Sequence, residues 1–330
     1  MVRNWRGTNL QHMLAHMAGE DLVLTLPAAY RHALPGVPWG RCDELFTPAY
    51  WRGQAWQHEA SGTYSPGPLG RDLPEEVAAC MLGGYGIPAE LGIAAFNRVR
   101  RDGLMRRPPD AADLERALSM PFVLSGRSRR YRFPAAKSRA LACALRGLQH
   151  IDPDLPDRAL RDALVGLPGI GPKTASWIVR NWRQSDDVAI IDVHIARAGR
   201  IAGFLPNAWT PAGNYAAMEG AFLEFSAAIG VRASVLDGLM WDYMRCIGPF
   251  ARDAEARSDE DQARATPTAE TPTAAVPHAT KRARPGKTAA AKPSPSAPSG
   301  QNPNPRLAAQ RCNVASSAPA SRQSRLPGFS

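Results

Sequence analysis

A glycine-rich turn between two helical segments constrains the fold of this chain more than any other feature. The turn is Leu167-Pro168-Gly169-Ile170-Gly171, and its glycines allow the positive φ angles and close backbone approach that larger side chains forbid. Pro172 suits the first position of a helix, and apolar residues at helical spacing follow it. Backbone N–H groups at such a helix start bind phosphate. The sequence therefore predicts two helices whose connecting turn holds a nucleic-acid backbone through Leu167, Gly169 and Gly171.

Two chemically active side chains follow this turn. Lys173 comes just after it, and Asp192 ends the apolar run Val188-Ala189-Ile190-Ile191. Beside a bound sugar-phosphate, an amine can attack the sugar carbon and form a Schiff base, while a carboxylate stabilises the positive charge that develops. There are plainer alternatives for each residue. Lys173 could contact phosphate only, and Asp192 could only cap a helix that begins at Val193.

The two motifs together resemble a known superfamily. LPGIGPKTA followed by IIDVH is similar to the helix-hairpin-helix and the Gly/Pro-rich loop with aspartate of the base-excision DNA glycosylases, which include endonuclease III and the 8-oxoguanine glycosylases. In that superfamily a lysine at the place of Lys173 marks the bifunctional glycosylase/lyases, and an aspartate at the place of Asp192 is the catalytic carboxylate. The resemblance implies an all-α, two-lobed fold with the active site in the cleft between the lobes.

The resemblance also implies a substrate and a reaction. We expect duplex DNA containing a damaged base, with the damaged nucleotide flipped into the cleft, 8-oxoguanine released, and the strand nicked by the lyase step. Two alternatives stay open. Another lesion, such as an oxidised pyrimidine or an alkylated purine, would keep the fold and change the pocket. A non-catalytic helix-hairpin-helix module would bind duplex without forming any product.

Two further segments bear on DNA and base recognition. The basic run GRSRRYRFPAAKSR resembles the segment that leads into the lysine-bearing helix of 8-oxoguanine glycosylases, which implies backbone contacts by Arg132 and Lys137; a solvated basic turn is the alternative. Asp237 and Trp241 lie four apart on a late helical segment. Archaeal 8-oxoguanine (GO) glycosylases have a similar pair, which implies that Asp237 bonds the oxidised base and Trp241 stacks on it. The alternative for Trp241 is core packing.

Composition limits the partners and cofactors. The formal net charge of +10 suits a protein that meets a polyanion. Five cysteines are scattered without a C-x-x-C pair, so we expect no iron–sulfur cluster, no metal and no cofactor. The sequence has no apolar run of membrane-spanning length and no secretion-signal pattern at its start. We therefore expect a cytoplasmic monomer, associated with the nucleoid if bacterial, and no membrane partner.

Composition also predicts the domain organisation. The resemblance implies that residues 1–252 form the glycosylase, in which we expect 72–190 to make the central helical lobe with the turn and the flanking segments to make the second lobe. The first 70 residues place aromatics among prolines and glycines and predict short helices with ordered loops. Residues 253–330, rich in Ala, Pro, Ser and basic residues, predict a disordered tail. Its end, Gln323–Phe329, resembles the peptides that bind bacterial sliding clamps.

Overall fold

The structure is a computed structural model and consists mainly of helices. It describes residues 10–17, 19–62, 67–84, 86–105, 109–248 and 250–256. The helices are α1 (Pro48–Ser61), α2 (Leu73–Leu82), α3 (Ala89–Arg101), α4 (Ala111–Ser119), α5 (Pro134–Leu148), α6 (Asp157–Val165), α7 (Pro172–Arg183), α8 (Val193–Ala202), α9 (Tyr215–Ala228) and α10 (Ala233–Cys246). The predicted helical fold is confirmed. The tail beyond residue 256, with the Gln323–Phe329 motif and Cys312, lies outside the described residues.

Aspartate caps mark the starts of α2 and α4. The Asp72 carboxylate accepts a hydrogen bond from the Glu75 amide at the start of α2, and Asp110 accepts one from the Ala112 amide at the start of α4. Such caps satisfy amides that the helix itself leaves without acceptors. Helix starts near Leu73 and Asp110 are therefore readable from sequence.

The N-terminal segment differs from the prediction of short helices and loops. It contains two antiparallel hairpins, β1 (Gln11–Met17) with β2 (Glu20–Leu26), and β3 (His32–Leu34) with β4 (Val37–Pro38). In the first hairpin, the strands pair in register from Gln11 opposite Leu26 to Met17 opposite Glu20. The turn places Gly19 at a φ of 86°, a conformation that favours glycine. The prediction of helix and loop holds for residues 39–61, where a loop leads into α1, and the hairpins were not predicted.

A third hairpin, β5 (Phe122–Leu124) with β6 (Arg127–Arg129), lies between α4 and α5. The predicted basic turn is therefore partly a strand. Arg98 supports the hairpin from α3, because its guanidinium donates to the carbonyls of Ala117 and Met120 and lies 3.5 Å from the centroid of the Phe122 ring. The arginines of β6 remain exposed.

The apolar residues form two separate cores. One core contains the inward faces of α2 to α7 and ends with Val188. The other begins with the N-terminal hairpins and α1, and continues from Ala189 through α8, α9 and α10. The chain thus passes from one core to the other between Val188 and Ala189, immediately before Asp192. No helix among the described residues combines the length and apolar character needed to cross a bilayer.

Candidate active site

The glycines of the turn serve different purposes. Gly169 has a φ of 81°, and a Cβ there would lie 2.7 Å from the Cβ of Ala140 on α5, so the fold itself requires glycine. Gly171 has an ordinary φ of −94°, and a Cβ there would meet no protein atom within 4 Å. Since the packing does not explain Gly171, the space in front of it is open to a ligand at the start of α7.

The turn leaves two backbone donors available. The Leu167 amide donates to the Leu164 carbonyl, and the Leu167 carbonyl accepts from the Ile170 amide, so this predicted backbone contact already has internal partners. Within the described part of the chain, the amides of Gly169 and Gly171 have no backbone acceptor. Gly171 also has no side chain that could cap the first turn of α7. The N-terminal end of α7 therefore presents N–H groups and the positive end of the helix dipole.

Lys173 and Asp192 lie together. Lys173 is the second residue of α7, after Pro172, and its Nζ lies 3.8 Å from Oδ2 of Asp192. The Asp192 side chain is 8% exposed and that of Lys173 is 37% exposed. Solvent can thus reach the amine while the carboxylate is largely covered. The sequence placed these two residues at one site, and the structure brings them together.

Asp192 also caps α8. Its Oδ1 accepts hydrogen bonds from the amides of His194 and Ile195, at 2.8 and 3.0 Å. The two interpretations of Asp192, as a cap and as a catalytic carboxylate, are therefore compatible. One oxygen holds the helix, and the other faces Lys173.

Asp237 occupies a different setting from the predicted one. It is 1% exposed, its Oδ1 lies 3.1 Å from Nη2 of Arg180 on α7, and its Oδ2 accepts from the Ile190 amide at 3.2 Å. Burial raises the pKa of Asp237 to about 6, against the opposing effect of Arg180. Oδ2 is thus hydrogen-bonded within the protein, while Oδ1 is ion-paired with Arg180 and has no hydrogen-bond partner among the described residues. The role of Asp237 in reading a base stays a prediction.

Trp241 lies close to the Asp192 segment. Its ring meets that of His194 edge-on, with centroids 6.3 Å apart, and the guanidinium of Arg245 lies 4.9 Å from its centroid. The side chain is partly buried. Trp241 therefore borders the site through His194, and its stacking on a base stays a prediction.

The two predicted basic contacts differ in exposure. Arg132 is exposed beside Phe133. Lys137 instead donates from Nζ to the carbonyls of Met81 and Gly83 at the end of α2, at 2.6 and 3.2 Å. Burial lowers the pKa of Lys137. Its ammonium thus already bonds α2, while the Arg132 guanidinium faces solvent.

Sequence reasoning missed the residues that support Asp192. Tyr215 and Glu219 on α9 hydrogen-bond the backbone just before it. Their helix was predicted from its apolar face, but Tyr215 and Glu219 belong to no motif in the sequence. Among the described residues, no cluster of three or more His, Cys, Asp or Glu side chains could hold a metal ion.

Comparison with known families agrees with this geometry. Residues 70–231, just under half of the 330-residue chain, match the family model described as 8-oxoguanine DNA glycosylase. The match includes the turn, Lys173 and Asp192, and leaves out Asp237 and Trp241. The predicted resemblance is confirmed over these residues. No curated protein matches the chain.

Several solved structures are similar. An 8-oxoguanine glycosylase/lyase from Methanocaldococcus jannaschii in complex with DNA containing 8-oxoguanine is 24% identical, with 60% of this chain and 89% of that chain covered and a TM-score of 0.43. The 8-oxoguanine DNA glycosylase of Thermotoga maritima is 22% identical, with 59% and 86% covered and a TM-score of 0.42. A trapped covalent intermediate of endonuclease III with DNA is 17% identical, with 58% and 80% covered and a TM-score of 0.43.

Proposed function

We propose that this chain, whose residues 70–231 carry the 8-oxoguanine DNA glycosylase domain, excises 8-oxoguanine from duplex DNA and then cleaves the strand as an abasic-site lyase. The observation that carries the proposal is the pair formed by Lys173 and Asp192, whose Nζ and Oδ2 lie 3.8 Å apart at the open end of α7. An amine and a buried carboxylate at this spacing beside a phosphate-binding turn suit attack on a deoxyribose.

The DNA contacts follow from the turn. The free amides of Gly169 and Gly171 would donate to one phosphate, and the helix dipole of α7 favours the same negative charge. Arg132, exposed at the start of α5, would contact a neighbouring phosphate. The damaged nucleotide leaves the base stack, so that its C1′ approaches Lys173.

The reaction has two parts. The unprotonated amine of Lys173 forms a bond to C1′ as the glycosidic bond breaks, and the departing base takes the electron pair and a proton. Asp192 stabilises the positive charge that develops on the sugar. Opening of the sugar ring gives a Schiff base. Loss of a C2′ proton then expels the 3′ phosphate by β-elimination, and water hydrolyses the imine to return the amine of Lys173.

The experiment that tests this function measures base release in single turnovers with Asp192→Asn. Asparagine is a good helix cap, so we expect α8 to stay folded while charge stabilisation is lost. Base release from an 8-oxoguanine duplex should fall by about a hundredfold to a thousandfold, the typical cost of one such electrostatic group. Asp187→Asn, a change of the same kind on an exposed residue, is the matched control.

A panel of duplexes completes the test. The wild-type protein should act on 8-oxoguanine in preference to oxidised pyrimidines and alkylated purines. Activity confined to another lesion would contradict the substrate. Binding to every duplex without product would show a non-catalytic module. Full base release by Asp192→Asn would contradict the role of the carboxylate.

A further inference from the structure

The segment that delivers Asp192 has an unusual support. Residues 188–192 form neither helix nor strand, yet they are buried at the junction of the two cores. A buried backbone amide needs an acceptor, because an unsatisfied one costs free energy. Here three consecutive amides find their acceptors in side chains of the C-terminal helices.

The three contacts are direct. The amide of Ala189 donates to Oε1 of Glu219 at 3.0 Å, and the amide of Ile190 donates to Oδ2 of Asp237 at 3.2 Å. The amide of Ile191 donates to the hydroxyl of Tyr215 at 3.3 Å, and that hydroxyl donates to the Ala189 carbonyl at 2.8 Å. Side chains of α9 and α10 thus take the place of a neighbouring β-strand.

The same two carboxylates also bind α7. Oε1 of Glu219 accepts from Oγ of Ser176 at 2.8 Å, and Oδ1 of Asp237 pairs with Arg180 at 3.1 Å. Ser176 and Arg180 lie three and seven residues after Lys173, so all three residues share one side of α7. Each carboxylate therefore connects the helix that carries Lys173 with the segment that carries Asp192.

Burial makes these connections strong. The two bridges are the contact of Ser176 with Glu219 and the pair of Arg180 with Asp237. Each of these four residues is at most 8% exposed as a whole. Arg161 on α6 pairs with the second oxygen of Glu219 and balances its charge. Removal of one partner of the pair between Arg180 and Asp237 would leave the other charge buried and unpaired, which is costly.

We propose that Tyr215, Glu219 and Asp237 are positioning residues that fix the Asp192 carboxylate relative to the Lys173 amine. Three amide contacts hold the backbone of residues 189–191, and the two bridges set its distance from α7. The inference rests on the proposed function for its catalytic consequence. In this proposal Asp237 affects the reaction by positioning Asp192, and it does not contact the base.

The test compares two variants, each of which lacks the hydroxyl group of one tyrosine. Tyr215→Phe removes the hydroxyl that bonds the Ala189 carbonyl and the Ile191 amide. Tyr243→Phe is the matched control, because its hydroxyl donates to Gln54 at 2.6 Å in the same core, away from the Asp192 segment. Amide hydrogen exchange reports the segment without relying on activity. Exchange across residues 188–192 should be faster in Tyr215→Phe than in Tyr243→Phe, with exchange in α2 unchanged.

The second measurement is single-turnover base release together with duplex affinity. Small displacements of reacting groups are costly, so Tyr215→Phe should slow base release by about tenfold to a hundredfold. Its dissociation constant for the duplex should stay within about twofold of the wild-type value, since a positioning residue does not touch DNA. A loss of affinity with an unchanged rate would overturn the proposal.

Ser176→Ala tests the bridge from α7 in the same way. Its control is Ser138→Ala, since Ser138 is also fully buried and its Oγ has no hydrogen-bond partner within the described residues. Equal exchange in both tyrosine variants, or equal rates in both serine variants, would overturn the proposal. The proposed function could fail separately. If exchange is faster in Tyr215→Phe but the wild-type protein releases no base, Tyr215 holds the segment and the proposed function is refuted.

Discussion

At the level of single residues, the two carboxylate oxygens of Asp192 make different contacts. Asp192 uses Oδ1 for the cap of α8 and directs Oδ2 at Lys173. The cap fixes the rotation of the carboxylate, so the oxygen that faces the amine cannot turn away without breaking two hydrogen bonds. A helix cap thus orients the carboxylate that we propose for the reaction.

Gly171 offers a residue-scale prediction. Gly171→Ala adds a methyl group where the protein has open space, so stability should change little. The methyl would project into the region where the phosphate approaches, and duplex affinity should fall by about tenfold, or about 1.4 kcal/mol. Fluorescence anisotropy with a labelled duplex measures the affinity.

The control for Gly171→Ala is Gly220→Ala on α9, where an added Cβ also meets no protein atom within 4 Å. That variant should bind duplex as the wild-type protein does. If the two variants bind alike, Gly171 does not face the phosphate.

At the scale of elements, α2 and α5 are joined by a lysine. Lys137 on α5 donates to two carbonyls at the end of α2, where a helix has no internal donors left. This junction lies beside the turn, because Ala140 of α5 contacts Gly169. The position of the turn that we propose binds phosphate therefore depends on how α5 is held against α2.

Lys137→Met tests this junction. Methionine keeps much of the aliphatic stem and removes the donor, so stability should fall by about 1 to 3 kcal/mol, the cost of leaving buried acceptors unpaired. Denaturant unfolding measures the change. Arg139→Met, on the exposed side of α5, is the control and should leave stability nearly unchanged.

Lys137→Met also tests the predicted contact of Lys137 with phosphate, through the salt dependence of duplex binding. If Lys137 contacts a phosphate, its replacement by methionine should reduce the salt dependence of duplex binding by about one counterion. Unchanged stability together with a smaller salt dependence would contradict the junction and favour the contact with DNA.

Sequence predicted those elements whose determinants are local. The cap at Asp192 and the turn at Gly169 depend on a few neighbouring residues, and both are found. The proximity of Lys173 and Asp192 was predictable because one motif holds both residues.

The supports of Asp192 were not predictable for the opposite reason. Tyr215, Glu219 and Asp237 act on amides 24 or more residues away in the chain, and nothing in their own helices indicates it. The first hairpin was missed because its two strands are only partly buried, so apolar alternation is weak. The pair of seven-residue runs around Gly19 was the signal that could have found it.

At the scale of the whole molecule, two cores meet at a polar junction. Asp192 lies where the chain crosses from one core to the other, and the carboxylates of Glu219 and Asp237 bridge them. The last described helical residues, 250–256, return to α8 through Glu255, which bonds Arg197 and Arg200 at 2.6 and 2.9 Å. The C-terminal end of the domain thus supports the helix that Asp192 begins.

Glu255 gives a prediction for pH. Partial burial acts to raise the pKa of Glu255, but the hydrogen bonds from Arg197 and Arg200 outweigh it and lower the pKa below the ordinary 4.5. The folded state thus holds this proton less tightly than the unfolded state. The stability from these pairs is therefore present above pH 4.5 and is lost as pH falls through the lowered value.

Glu255→Gln should lose about 1 kcal/mol at neutral pH and show a shallower loss of stability on acidification than the wild-type protein. Thermal unfolding between neutral and acidic pH measures both. Parallel stability curves for the two proteins would contradict the role of Glu255.

Borohydride trapping with a duplex that contains 8-oxoguanine opposite cytosine tests whether Lys173 forms a Schiff base with the sugar of the damaged nucleotide. Reduction would fix the Schiff base between Lys173 and the sugar as a covalent adduct. We predict that the wild-type protein forms an adduct with the 8-oxoguanine duplex and with an abasic duplex, and none with undamaged DNA. Lys173→Gln should form no adduct but should still bind the damaged duplex. An adduct of full yield with Lys173→Gln, or no adduct with any duplex, would contradict this prediction.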